Sequence, residues 1–219
     1  MTLEARRMAE NRLGRFGMIT IGAIVTLLAV SGGAFVIAGA NPIEAYQAYF
    51  ITPLTREFTL LEVLNKATPI LFTGTAVAIA FRAGYWNIGV EGQLLMGAIA
   101  AAGIGQVVDG WSPIVVLPLM IGAGAVAGAL WALVPALLRV RMGIDEVVTT
   151  LLLNPVALLV VQGLLHGPWK DPETGFPESP RIAAAAELPQ LSEFIPLIGR
   201  SRLHLGFVIA VVLIVIAWY

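Results

Sequence analysis

Long apolar runs separated by short polar breaks alternate along the 219 residues. The runs are Phe16–Ala38, Glu62–Phe81, Ile88–Val107, Pro113–Leu138, Val147–His166 and Leu203–Tyr219. Most approach the roughly 20 residues that a helix needs to cross a hydrocarbon core of about 30 Å. Only elements that satisfy their own backbone hydrogen bonds are viable there, so each run predicts a helix. The fold class that follows is all-α: a polytopic transmembrane helical bundle of about six spans over residues 16–219, behind a cytoplasmic tail at 1–15. The first run follows Arg6, Arg7, Arg12 and Arg15, and it ends in Ala38-Gly39-Ala40, which looks like a signal cleavage site. Its apolar length exceeds the roughly 7–15 residues of a signal core, so it is read as an uncleaved anchor.

One segment interrupts the pattern. Residues 84–93 read Gly-Tyr-Trp-Asn-Ile-Gly-Val-Glu-Gly-Gln, and the apolar stretches beside them, Pro69–Phe81 and Leu94–Val108, are too short to cross alone. A broken helix is predicted there. Gly84, Gly89 and Gly92 permit the irregular backbone. Asn87 is placed to cap the following helix, with Glu91 in a first turn where the helix dipole favours negative charge and Gln93 close behind. Irregular backbone and an ionisable group at membrane depth are costly unless they are buried in protein or line a watery path. Two readings stand: a half-helix end that meets a polar solute, and a tight, solvated cytoplasmic turn.

The run Val147–His166 holds Thr149, Thr150, Asn154 and Gln162. Thr150 and Asn154 share a helix face, and Pro155 invites a kink beside them. Such a stripe either lines a path or bonds neighbouring helices. Gly97 with Ala101, and Gly124 with Gly128, recur at spacing four and predict close helix packing. Asn41-Pro42-Ile43-Glu44 combines a cap, a first-turn proline and a glutamate three residues after the cap. That predicts a short interfacial helix through about Phe50. Pro168, Pro172, Pro177, Pro180, Pro189 and Pro196 punctuate residues 167–202 and predict an extended, water-facing loop.

Composition agrees with the membrane class: 58% of residues are hydrophobic and 12% charged, against about 25% charged in soluble domains. Mean hydropathy is +0.86. The positive-inside rule puts the N-terminus in the cytoplasm, with Arg82, Arg139 and Arg141 inside and Arg56, Lys66, Lys170, Arg181, Arg200 and Arg202 outside. Arg139, Arg141, Asp145 and Glu146 form a tight charged cluster, either a solvated turn or a contact for a cytoplasmic partner. There is no cysteine, and the two histidines lie far apart, so no metal site is expected. The chain has no G-x-x-x-x-G-K-[ST], H-E-x-x-H or G-x-S-x-G, so no catalytic residue is predicted. No basic patch with interleaved aromatics points to nucleic acid.

Several blocks resemble permease subunits of ABC importers, in the branch that takes up nucleosides and simple sugars with basic-membrane-protein-type binding proteins. They are Thr68-Pro69-Ile70-Leu71-Phe72-Thr73-Gly74, Phe81 through Gln93, Gly143 through Asn154, and His166-Gly167-Pro168-Trp169-Lys170-Asp171-Pro172. Asp145 stands where that family usually has asparagine, and Pro155 where an aromatic is more typical. The resemblance implies a bacterial inner-membrane protein with four kinds of company: a second permease subunit, a cytoplasmic ABC ATPase, an extracytoplasmic solute-binding lipoprotein, and the lipid bilayer. ATP is used by the partner ATPase, and no cofactor is bound by this chain. Asn87, Glu91, Gln93, Thr150 and Asn154 become pathway or gate residues, and Trp169, Lys170 and Asp171 a docking loop for the binding protein. Family permeases are longer, so the chain reads as an N-terminal part that does not transport alone. The alternatives are a branched-chain amino-acid permease of the same superfamily and an ion-coupled secondary transporter.

Overall fold

The computed structural model describes residues 3–172, 174–195 and 201–219, with side chains from residue 16 onward. Pro196 and Arg200, and the side chains of Arg6, Arg7, Arg12 and Arg15, lie outside the described residues. Helices dominate the described chain, which divides into compact units at Met1–Leu60 and Leu61–Tyr219.

In the first unit, α1 runs Leu3–Ile37, so the predicted tail at 3–15 is helical and continuous with the span. Asn41 caps α2 (Pro42–Tyr46) as predicted: its Oδ1 accepts from the Ile43 amide at 3.0 Å, and its Nδ2 donates to Glu44 at 3.2 Å. The helix continues beyond Phe50 through a π-helical turn, Gln47–Ile51, into α3 (Thr52–Thr55). An aromatic cluster seats it on α1, with Tyr46 edge-on to Phe35 at 5.6 Å and its hydroxyl 2.8 Å from that of Ser31.

The second unit is built from α4 (Glu57–Arg82), α5 (Val90–Val107), α6 (Pro113–Met142), α7 (Glu146–His166) and α8 (Leu205–Trp218). Five helices of the described chain, those in α1 and α4–α7, are long and apolar enough to cross a membrane, and α8 is a shorter apolar helix. This corrects one expectation. The stretch Pro69–Phe81, expected to be too short to cross alone, is the second half of α4, which begins well before Pro69 and is long and apolar enough to cross by itself. The α4 terminus is set by Gly84 at φ +75°, a left-handed position that a side chain resists. The Tyr85 amide then reaches back to the Ala80 carbonyl, and the Gly84 amide to that of Phe81, each at 3.0 Å.

Small residues bring α5 against α6. A Cβ on Gly97 would lie 2.9 Å from the Gly124 carbonyl, and one on Gly128 would lie 3.1 Å from the Gln93 carbonyl. The faces predicted from spacing four therefore meet each other. α7 runs through Pro155 as one helix, capped by Asp145, whose Oδ1 accepts from the amides of Val147 and Val148 at 2.8 and 3.2 Å. Aspartate does there what asparagine would do.

The segment after α7 departs from the expected extended, water-facing loop in one part: residues 174–179 are exposed, whereas residues 182–191 fold back onto helix ends. Ala186 is buried with Val108 and Val116, flanked by Ile182 and Met120, and the Ala183 amide donates to the Gly105 carbonyl at 2.8 Å. Gln190 and His204 form an isolated antiparallel bridge, so proline forbids a ladder here without forbidding packing. Apolar surface from Ile182, Ala183 and Ala186 is better placed against α5 and α6 than in water.

Candidate functional site

Helix ends sort the second unit into two ends. Arg82 Nη1 donates to the Ala217 carbonyl at 2.9 Å, and the Ile88 amide donates to Thr150 Oγ1 at 3.2 Å. Arg139 Nε pairs with Glu146 at 3.0 Å. The last turns of α4, α6 and α8 thus share one end with the starts of α5 and α7, and the break at 83–89 belongs to it.

Within the break, the expected cap is corrected. Gly89, not Asn87, is the N-cap of α5 and offers no side chain. Asn87 instead accepts from the Gly89 amide at 2.9 Å and exchanges two amide bonds with Gln93, each 3.2 Å. It is buried, with 8% exposure. α7 supplies what the broken ladder lacks. Asn154 Oδ1 accepts from the Gly92 amide at 2.9 Å, while its Nδ2 donates to the Ile88 carbonyl at 3.0 Å. Thr150 Oγ1 accepts from the Ile88 amide and donates a hydrogen bond to the Glu146 carbonyl at 2.6 Å. One side-chain amide and one hydroxyl therefore stand in for three backbone partners, as an irregular segment among membrane helices requires.

Glycine makes this approach possible. A Cβ on Gly89 would sit 2.8 Å from the Thr150 carbonyl oxygen, and one on Gly92 would sit 2.9 Å from Trp131 Nε1 and 3.1 Å from Asn154 Oδ1. Both contacts are closer than real Cβ atoms tolerate comfortably. α5 and α7 run parallel here, Gly89 beside Thr150 and Gly92 beside Asn154. Thr150 and Asn154 follow Glu146, the first residue of α7, so these contacts lie roughly 6 and 12 Å along that helix. α5 consequently starts one to two turns inside the end of α7. Glu91, between the two contacts, is exposed, and its side chain makes no hydrogen bond among the described residues.

Of the charged cluster at 139–146, Glu146 is buried in its pair with Arg139 and Asp145 is engaged as the α7 cap, which leaves Arg141 exposed beside them. Tyr85 lies in the break with its hydroxyl buried and unpartnered, and burial, followed by the charge of Glu146, raises its pKa above the ordinary 10.0. The predicted docking residues divide. The Trp169 ring packs 3.3 Å from where a Gly103 Cβ would be and closes a cleft of about 170 Å³ lined by Leu95, Ile99 and Leu165. Lys170 is exposed. Asp171 anchors a turn, accepting from Thr174 Oγ1 at 2.8 Å and from the Gly175 amide at 3.0 Å. A larger cleft, about 520 Å³, separates α4 from α8 between Thr75, Ile79, Ile214 and Trp218, with an apolar lining.

Sequence reasoning passed over Glu62, Asn65 and Trp131. Each holds a buried polar atom with no partner: Glu62 Oε1, Asn65 Oδ1 and Trp131 Nε1. The available signal was an ionisable residue inside an apolar run, with an amide three residues on.

Residues 59–219 match the family described as branched-chain amino acid transport system, permease component. The chain is 40% identical over 198 residues to a glucose ABC transporter permease protein of Haloferax volcanii, covering 88% of this chain and 51% of that protein. It is 32% identical to a guanosine ABC transporter permease protein of Bacillus subtilis, over 94% of this chain and 58% of that protein. A nucleoside ABC transporter permease protein of Lactococcus lactis is 29% identical over 92% of this chain and 53% of its own length. The chain spans about half the length of the curated relatives it matches. No solved structure matches it.

Proposed function

The chain belongs to the branched-chain amino acid transport system permease family, and from that premise we propose that it is the membrane-crossing part of an ATP-driven importer's permease, passing a neutral, hydroxyl-rich solute such as a sugar or a nucleoside. The observation that carries the solute class is the 40% identity, over 88% of the chain, to a protein named as a glucose permease. Relatives named for guanosine and nucleosides support the same class over amino acids.

In this reading ATP is hydrolysed by a separate cytoplasmic subunit, a second permease completes the path, and an extracytoplasmic binding protein delivers solute at the 167–202 side. The N-terminus lies in the cytoplasm of a bacterial cell, and the end holding Arg82, Arg139 and Arg141 faces inward. Arg141 and the rim of the Arg139–Glu146 pair meet the ATPase side, and Lys170 and Asp171 meet the binding protein. Asn87, Gln93, Thr150 and Asn154 hold the wall of the path by clamping α5 to α7. Glu91, whose carboxylate has no partner in the described chain, faces the path from that wall. Weak, exchangeable contacts suit this role, because a path must release what it admits.

Uptake by the full-length permease, reconstituted with its ATPase, partner permease and binding protein, tests the solute class. Labelled glucose or guanosine should enter and excess leucine should not compete. Uptake of leucine with indifference to both others would overturn the assignment.

A further inference from the structure

Six side chains of the described chain hold a buried polar atom without a partner, and they fall into two groups. Tyr85 and Trp131 border the break. Glu62, Asn65, Gln106 and Ser201 belong to the opposite end: the first half of α4, the last turn of α5, and the residues just before α8. The contrast between the ends is chemical. At the break, the amides and hydroxyl of Asn87, Gln93, Thr150 and Asn154 are already paired within the protein. At the other end, Glu62 Oε1 and Asn65 Oδ1 are both acceptors, both buried, and neither meets a donor.

These two residues are three apart on α4, so they share one face with their Cβ atoms about 5–6 Å apart. Thr68 continues that face one turn on and is 3% exposed, but its hydroxyl is satisfied by the Leu64 carbonyl at 3.1 Å. Lys66, one turn from Glu62 and of the right sign, is exposed and forms no ion pair with it. Glu62 and Asn65 are each half-buried, but a carboxylate oxygen buried on an apolar helix without a cation or an amide to serve it is a costly feature. Two acceptors call for two donors. A resident metal cation is a poor fit, since hard cations gather about six or more oxygens.

We propose that Glu62 and Asn65 are the solute contacts of the path at this end, accepting hydrogen bonds from two adjacent hydroxyls of the passing solute, an assignment that rests on the importer reading. A vicinal diol supplies two O–H donors at a spacing that fits side chains one helical turn apart. Both a sugar ring and the ribose of a nucleoside carry one. A charge-assisted bond from hydroxyl to carboxylate is strong enough to select the diol, yet it leaves no covalent or metal tie to break on release.

The test uses the complete reconstituted transporter and two matched pairs of solutes, each with a vicinal diol in one member only: methyl glucoside with methyl 3-deoxyglucoside, and guanosine with 2′-deoxyguanosine. Whichever pair is transported identifies the source of the diol. The unmodified protein should prefer the diol form. Glu62→Gln and Asn65→Leu should each raise KM about tenfold for the diol form, as loss of one charged or amide hydrogen bond does, and should abolish the preference. A second measurement does not depend on turnover. No cysteine occurs in the 219 residues; with any cysteine elsewhere in the transporter replaced or blocked, a Glu62→Cys variant can be labelled selectively by a thiol reagent, and saturating diol solute should slow that labelling while the deoxy form does not. Unchanged KM and preference in Glu62→Gln, labelling indifferent to solute, or protection by leucine alone would each overturn the assignment. Failure of the unmodified transporter to take up either pair with ATP would instead overturn the importer reading on which it stands.

Discussion

Replacing Asn154 by leucine, a side chain of similar size, removes one acceptor and one donor together. The Gly92 amide and the Ile88 carbonyl, now 2.9 and 3.0 Å from the Asn154 side chain, lose their partners. If these were ordinary interhelical bonds, worth about 0.6 kcal/mol each in a membrane, the loss would be near 1 kcal/mol. If Asn154 replaces a missing backbone ladder, the part-buried Gly92 amide is orphaned at about 1–3 kcal/mol and the more exposed Ile88 carbonyl at about 1 kcal/mol, for about 2–4 kcal/mol in all. The geometry favours the larger figure. Gly92 lies in the first turn of α5, where amides have no helical acceptor, and Ile88 lies outside any helix. Thr150→Val should add a further loss through the Ile88 amide, and the pair should be non-additive because both hold the same residue, Ile88. Unfolding of the purified permease in mixed micelles, followed by the loss of helical signal, gives the free-energy difference. A change of about 1 kcal/mol or less in Asn154→Leu would refute the backbone-substitute account.

Other substitutions probe the same frame. Gly92→Ala should destabilise by about 1–3 kcal/mol, because its Cβ meets Trp131 and Asn154, whereas Gly122→Ala, with nothing within 4 Å, should be neutral or slightly stabilising in the same assay. Tyr85→Phe should raise stability at neutral pH by about 1 kcal/mol, since it deletes a buried hydroxyl that has no partner. The same variant bears on alkaline stability. The folded chain holds the Tyr85 proton more tightly than the unfolded chain, so stability is level at lower pH and falls as pH rises through 10 toward the raised folded value. A pH series of melting curves should show that fall in the parent and less of it in Tyr85→Phe. Arg139→Ala leaves Glu146 buried without its cation, yet Arg139 is itself about half exposed, so the expected loss is about 1–2 kcal/mol rather than the value for a fully buried pair. A thermal shift of a few degrees would report it.

Much of the frame was legible because membrane helices announce themselves by apolar length. The start of α2 was legible in Asn41, since capping depends on residues only two or three apart, whereas Asp145 read only as part of a charged cluster and its cap of α7 was missed. The break was legible in Gly84, Gly89 and Gly92, and the α5–α6 face in Gly97 and Gly124. The identity of the α5 cap was not, because Gly89 wins the position only once Thr150 presses against it from 61 residues away. Thr150 and Asn154 were visible as a polar stripe, but their partners Ile88 and Gly92 follow from the register of two parallel helices, which no local pattern encodes. The two sets of spacings do match: Gly89 and Gly92 are three apart and Thr150 and Asn154 four, one turn on each helix. The refolded segment at 182–186 escaped notice because prolines and charges nearby masked a short apolar patch. Glu62 and Asn65 were counted as the edge of a span, where a carboxylate draws no notice, rather than as buried groups lacking donors.

The most direct measurement of the central claim is the energy source of uptake. In proteoliposomes holding the complete transporter, solute entry should require ATP and the binding protein and should persist when ionophores collapse the proton and sodium gradients. Entry that stops with the gradients while ATP is present, or proceeds on a gradient without ATP, would contradict it.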